Sequence, residues 1–382
     1  MRLRRVLAVL GIVVALLCTV CAGAGVWIWN SQTVDTTDAV DFTRPLAVPP
    51  LAPSRLEGGR RVFDLRAQAG THDFGRGTTP TWGFNGDVLG PTLRATRGEQ
   101  VVVNVTNGLD QTTTVHWHGM HLPPEMDGGP HQLVAPGRTW SPAWKIEQPA
   151  ASLWYHPHLH GETAKHVYQG LAGMFIVDDP ATSVAALPHE YGVDDIPVIV
   201  QDRKFDAKGK LDDAPGIFSG VGVLGDTIAV NGTVGPYLEV KTQRVRLRLL
   251  NGSNARVYDF GFADGRQFDL VGTDGGLLEA AHRTDRLMLS PGERAEIVVT
   301  VKAGSGRCCA ATRRTWARAC SGGSPAGRTR STCCNCGPRG RFPRARRCRS
   351  GWSPHRGSTA LTPRSSGSSS SAGTASTAGR WT

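Results

Sequence analysis

Between Ala22 and Arg307 the chain contains no cysteine. That stretch therefore holds no disulfide, and it offers no thiolate to a metal ion. Cys18 and Cys21 sit in an apolar N-terminal run, and the other seven cysteines all follow residue 307. Charge is missing from Val6 to Trp29, 24 residues in a row. That exceeds the roughly 20 needed to span a bilayer. Residues 303–382 have no Val, Ile, Met, Tyr, Asp, Glu, Lys or Gln. A segment so poor in apolar side chains cannot offset its own ordering entropy and is expected to be disordered.

These absences locate the charge. The chain carries a net +11 over 382 residues, yet residues 303–382 alone contain fifteen Arg and no acid. Residues 1–302 therefore sum to −4, and the basic balance belongs to the tail. A nucleic-acid partner is not expected, because the part that can fold is mildly acidic. Three readings compete for the tail: a basic disordered arm, a Cys-rich zinc module, and an out-of-frame translation of GC-rich DNA. Cys333, Cys334 and Cys336 lack the usual zinc spacing. The break in composition falls right after a strand ending at Val301, which favours the frameshift.

At the other end, three arginines in the first five residues precede the uncharged run. This places the N-terminus inside and the body outside the membrane. Two readings remain open: a membrane anchor over residues 6–29, or a cleaved export signal with an A-x-A-like site at Ala22-Gly23-Ala24. Both make the body extracytoplasmic, in the envelope or secreted.

The middle of the chain reads as β. Residues 31–56, rich in Thr, Pro and Asp, read as a linker. Strands are expected at 61–66, 100–106, 112–118 and 173–178, then at 197–201, 227–230, 237–240, 244–250 and 295–301, separated by Gly, Pro and Asn turns. Arg244 to Leu250 alternates like a sheet with one wet face. No long stretch after residue 30 shows a convincing helical period. Gly220 to Gly225 matches G-x-G-x-x-G formally, but without a βαβ context it reads as a loop.

Seven of the twelve histidines lie between Val115 and Glu162. On a strand, residues two apart share a face about 6.6–6.8 Å apart. His116 and His118 then point one way, with Trp117 opposite, and His156, His158 and His160 do the same. Adjacent strands would gather four imidazoles, a donor set that suits copper, zinc, iron or nickel. A single H-x-H is weak evidence for a metal; two pairs, each beside an aromatic and followed by Gly, are strong.

These residues resemble the multicopper oxidases, in particular the bacterial branch of laccases, copper-efflux oxidases and bilirubin oxidases. The resemblance rests on Thr114-Val115-His116-Trp117-His118-Gly119, Glu125 to Pro130, Gln148 to Ala151, Trp154 to Glu162 and Gly170 to Val177. It covers about residues 57–302. It implies an all-β fold of tandem cupredoxin-like Greek-key domains, at 57–182 and 183–302, between an N-terminal apolar helix (1–30) and a disordered tail (303–382). It implies copper, with O2 and a phenol or Cu(I) as substrates. By the same resemblance His116 matches the ligand of a lone type 2 copper, and His118, His156 and His158 match ligands of a type 3 pair. Asp127 matches an acid that helps deliver protons, and His160 matches no ligand. His121, His131, His166, His189 and His282 are expected to be structural or exposed.

The resemblance also marks a departure. The family takes its remaining cluster ligands and a Cys-centred type 1 site from H-x-x-H-x-H and H-C-H motifs in a later domain. Neither motif occurs in this sequence, and the one His after 282 is His355. The chain as written is therefore expected to be inactive in turnover. The alternative is a non-catalytic copper-binding protein of the envelope.

Overall fold

The computed structural model describes residues 2–31, 34–35, 40–182, 187–214, 222–301, 308–312, 317–318, 325–326 and 329–338. Met1–Ala345 forms one compact unit; the second unit, Arg346–Thr382, lies outside the described residues. The uncharged run folds as the helix Arg2–Ser31. Its stretch Arg4–Ala24, with mean hydropathy 2.8, is long and apolar enough to cross a membrane. A signal or an anchor both fit it.

The first half of the body is a sandwich of two sheets. One sheet runs in the order Ala143–Lys145, Gln100–Asn107, Arg60–Asp73, Ser54–Glu57, with Thr78–Phe84 added against Arg60–Asp73. Gln100–Asn107 explains why a core forms here. Val101, Val103 and Val105 alternate inward and are fully buried. The second sheet runs Leu93–Thr96, Gly173–Asp178, Ala151–His156, His116–His118. Between the sheets pack Phe63, Leu65, Trp117, Trp144, Tyr155 and Phe175.

The second half is a seven-stranded sheet: Thr233–Val234, Thr227–Val230, Asp195–Arg203, Arg244–Asn251, Arg294–Thr300, Phe268–Thr273 and Gly276–Thr284 in that order. Ile196, Val198, Leu249, Phe260, Phe268 and Ile297 belong to its separate core. A third, smaller cluster crosses between the halves, with Leu89, Trp154 and Met174 meeting Ile199 and Leu250.

The structure departs from the sequence reading in several places. Arg244–Asn251 has no wet face at its centre: Arg246 and Arg248 are each 2% exposed. Arg248 donates to both carboxylate oxygens of Asp195, at 2.6 and 2.9 Å, and to Glu296 at 3.0 Å. Arg246 pairs with the same Glu296, and Ser152 of the first sandwich donates to it at 2.6 Å. Burial pushes the Glu296 carboxyl up, but the two guanidiniums overcome this and hold it below the ordinary range. The alternation was sound; the face it presents meets the first sandwich at Ser152 rather than water.

Residues 163–169, for which no helix was singled out, form the short helix Thr163–Gln169. Seven residues carry too few turns for a period to show. The strand expected over 112–118 is regular only at His116–His118, because Thr113 instead bridges Val134. The stretch read as a linker holds three strands among its described residues: Val34–Asp35 pairs with Thr329–Pro338, Arg44–Pro45 with Pro236–Val240, and Ser54–Glu57 with Arg60–Asp73. In the tail expected to be disordered, short strands are described, among them Thr329–Pro338; residues 302–307 and 339–382 lie outside the described residues. Of the G-x-G-x-x-G match, Gly220 and Val221 also lie outside them.

Candidate metal centre

The ligand cluster follows from strand register. Ala151–His156 pairs antiparallel with His116–His118, setting His156 opposite His116, Tyr155 opposite Trp117 and Trp154 opposite His118. The even positions therefore bring imidazoles to one face. The odd positions, Trp117 and Tyr155, go into the core, at 1% and 0% exposure. The His116 ring centroid lies 5.5, 5.5 and 5.3 Å from those of His118, His156 and His158. His118 and His156 lie 5.4 Å apart, and His156 and His158 lie 6.1 Å apart. All four predicted histidines thus come together. His156 is buried, His116 and His118 are half-buried, and His158 is exposed at the rim.

Hydrogen bonds choose which nitrogen each ring offers. His116 Nδ1 lies 3.0 Å from the Asp127 carbonyl and 3.2 Å from its carboxylate, so it donates there and leaves Nε2 free. His156 Nδ1 donates to the Pro157 carbonyl at 2.7 Å, which leaves Nε2 as a lone pair. That lone pair faces His118 Nδ1 at 3.2 Å. A backbone or carboxylate partner on the far nitrogen is how ligand imidazoles are commonly oriented.

The electrostatics favour neutral rings. Burial pushes the His118 imidazole down to about 4, and positive Arg294 and the neighbouring histidines add to this. Burial likewise drives His156 well below its usual range, against the opposing hydrogen bond to Pro157. Neutral imidazole is the form that binds a metal ion. One nitrogen each from His116, His118 and His156 lie within 4.8 Å of one another. Two nitrogens 3.2 Å apart can both reach one ion at ordinary bond lengths of about 2.0–2.1 Å. The residues present therefore fit a copper ion by geometry and by donor type.

Asp127 is placed by Gly128. A Cβ at Gly128 would stand 1.6 Å from the Val115 carbonyl oxygen, and the residue has φ +75°. Only glycine lets the 127–128 backbone lie flat against the His116 strand, where the Asp127 carbonyl also accepts from Trp117 N at 3.2 Å. His160 is exposed, as are His121, His131, His189 and His282. His166 is fully buried, 3.1 Å from the Thr113 hydroxyl.

Sequence reasoning missed two neighbours. Arg294, which opens a strand of the seven-stranded sheet, and Gly292, in the turn before it, stand beside His118: a Cβ at Gly292 would lie 3.5 Å from its Cε1, and one at Gly119 would lie 2.6 Å from an Arg294 nitrogen. The only signal is an Arg in a largely apolar strand, and nothing local points to a contact across about 175 residues.

Two family models, both described as multicopper oxidase, match residues 66–182 and 200–312. The multicopper oxidase mco of Staphylococcus aureus is 39% identical over 254 residues, 65% of this chain and 55% of that protein. The cell division protein FtsP of Xenorhabdus nematophila is 45% identical over 255 residues, 66% of this chain and 53% of its own length. The chain thus spans about half the length of these curated relatives. Among solved structures, a laccase-like multi-copper oxidase, CueO of Ochrobactrum sp., superposes with TM-score 0.69 at 37% identity, covering 79% of this chain and 66% of that one. A laccase from Pediococcus acidilactici gives 0.68 at 36%, covering 78% and 63%.

Proposed function

The chain belongs to the multicopper oxidase family, and from that premise we propose that His116, His118, His156 and His158 hold copper on an extracytoplasmic body. The observation that carries this is the convergence of these four imidazoles, three through one strand pairing and His158 from the chain just past its end, with the far nitrogens of His116 and His156 already occupied. Bound copper would supply the one-electron chemistry by which the family couples oxidation of a phenol or Cu(I) to reduction of O2 to water.

The chain's own residues do the rest. Asp127 fixes His116 through its carbonyl. Its carboxylate is half-exposed and 3.2 Å from the ring, so it can carry a proton between solvent and the cluster. Trp154 stacks on His156 at 3.9 Å and sits 5.2 Å from His118, shielding both from water. Arg2–Ser31 delivers the body across a membrane as signal or anchor.

These four histidines are half of the eight the family uses, and the described body has no cysteine for a type 1 site. The 382-residue chain therefore binds copper without sustained turnover. The division into domains at 57–182 and 183–302 is supported by the two separate cores, and an out-of-frame origin of residues 303–382 by their composition. Sequencing the gene across codon 303 tests that origin: H-C-H and H-x-x-H-x-H motifs in another frame support it, and their absence from every frame overturns it.

A second reading, a non-catalytic copper-binding envelope protein, is favoured by the similarity to a cell division protein, FtsP. Both readings have this chain bind copper without turnover, and copper loading with O2 uptake on a phenolic substrate tests that. O2 uptake that His116→Ala abolishes establishes an oxidase and refutes the no-turnover account. Bound copper with no uptake supports it.

A further inference from the structure

The metal face is built by the first sandwich, but one of its walls comes from the other domain. The turn before Arg294–Thr300 brings Gly292 against the ring of His118, where a Cβ would lie 3.5 Å from Cε1 and 4.0 Å from Nε2. On its other side His118 meets Trp154, with ring centroids 5.2 Å apart. The ring is thus held between a first-domain indole and a second-domain backbone. The Cε1–Nε2 edge is the one turned towards that backbone, and Nδ1 is the one that faces His156 at 3.2 Å.

Arg294 holds this wall in place. It is 4% exposed, and every part of its guanidinium is engaged. Nε donates to the Ser152 carbonyl at 3.2 Å, on the strand that carries His156. Nη1 donates to the Gly292 carbonyl at 3.0 Å and pairs with the Asp274 carboxylate at 2.6 Å. Nη2 donates to the Asp274 carbonyl at 3.2 Å. The same guanidinium lies against Gly119, the residue after His118, so closely that a Cβ there would be 2.6 Å from Nη2. One side chain therefore ties together the His156 strand, the Gly292 turn and the chain just after His118. A planar fork with five donors does this, and an ammonium cannot.

We infer that Arg294 is a positioning residue of the metal centre: its hydrogen-bond fork sets the orientation of the His118 ring from the second domain. The inference rests on the copper reading above for its ligand, but not for its geometry. Groups that orient a metal ligand typically cost about 10–100-fold in metal affinity when removed.

The test compares the full chain with Arg294→Met, Arg294→Lys and Asp274→Asn. Asp274→Asn, at a half-exposed carboxylate, is the mild variant that folds if the first two do not. Cu(II) is the probe. Expected is a loss of about 10–100-fold in Cu(II) affinity for Arg294→Met, with an altered Cu(II) electron paramagnetic resonance spectrum. Arg294→Lys does not restore either, and Asp274→Asn shifts the spectrum in the same direction by less. Unchanged affinity and spectrum in Arg294→Met, or in Asp274→Asn where the first variant does not fold, overturn the inference, as does full rescue by Lys. If the unaltered chain takes up no Cu(II), the copper reading fails. The positioning claim is then decided in the metal-free protein by imidazole nitrogen resonances. Those of His118, assigned with His118→Gln, move in Arg294→Met while those of exposed His189 and His282 stay; no movement at His118 overturns it.

Discussion

His116-Trp117-His118 and Arg246-Leu247-Arg248 are the same pattern on paper: a polar pair spaced by two around an apolar residue, on a strand. In the first, the polar face turns towards an opening where His158 is exposed. Asp127 holds His116 with a lone pair free, and Pro157 does the same for His156 on the facing strand. In the second, the polar face is covered by the first sandwich at Ser152, and both guanidiniums are paired with Glu296 and Asp195 on the neighbouring strands. Alternation states which residues share a face. What the face meets is decided by chain elsewhere, and that difference separates a site from a joint.

The sharpest way to break the comparison is to cut the joint. Arg248→Met leaves Glu296 and Asp195 buried with fewer partners, and removing one member of a buried pair costs about 3–5 kcal/mol. Denaturant midpoints should fall accordingly. A change below about 1 kcal/mol would mean the network is not closed to water as described.

Cutting the site should do the opposite. His156→Ala should leave the metal-free fold largely intact but remove its response to copper. In the unaltered chain, ligand at about 100 times its Kd adds about 2.7 kcal/mol of stability. The variant's Tm should not move with added Cu(II), and a full shift in the variant would argue against His156 as a ligand.

Acid sharpens the contrast further. The His118 imidazole lies at about 4 in the folded state, mainly through burial, against about 6.5 unfolded. The unfolded chain therefore binds the proton first, and metal-free stability falls as pH drops from about 6.5 through 4. His156, shifted the same way, deepens the slope. His118→Gln should flatten it, as read by Tm against pH; an unaltered slope would place the proton linkage elsewhere.

The smallest effect is expected at the surface. Arg283→Gln removes an exposed pair with Asp269, 3.1 Å apart. Such pairs contribute about 0–1 kcal/mol, so its denaturant midpoint should nearly match that of the unaltered chain. A loss like that of Arg248→Met would erase the distinction between exposed and buried pairing.

Much of this was legible in the sequence, for definite reasons. Strand positions followed from β-branched runs between Gly and Asn turns, and Thr227–Val230 falls where it was expected. Three of the four histidines followed from period-two spacing, because antiparallel pairing needs only local register to set His156 against His116. His158 and His160, expected to continue the same strand face, lie past the strand, which ends at His156 before Pro157. What could not be read depends on distant partners. The burial of Arg246 and Arg248 waits on Glu296, some fifty residues away. The contact of Gly292 and Arg294 with His118 waits on the packing of two domains. Thr163–Gln169 is too short to show a period, and its buried His166 shows nothing in sequence to distinguish it from exposed His160.

The central claim is that one strand pairing, with His158 just beyond it, builds a copper site from four histidines in a body without a thiolate. Copper content and visible absorption of the purified, copper-loaded chain test it most directly, beside a His116→Ala, His156→Ala double variant. The account predicts bound copper in the unaltered chain, no intense blue thiolate-to-copper band, and loss of the copper in the double variant. Copper retained by the double variant, or a blue band in either protein, would contradict it.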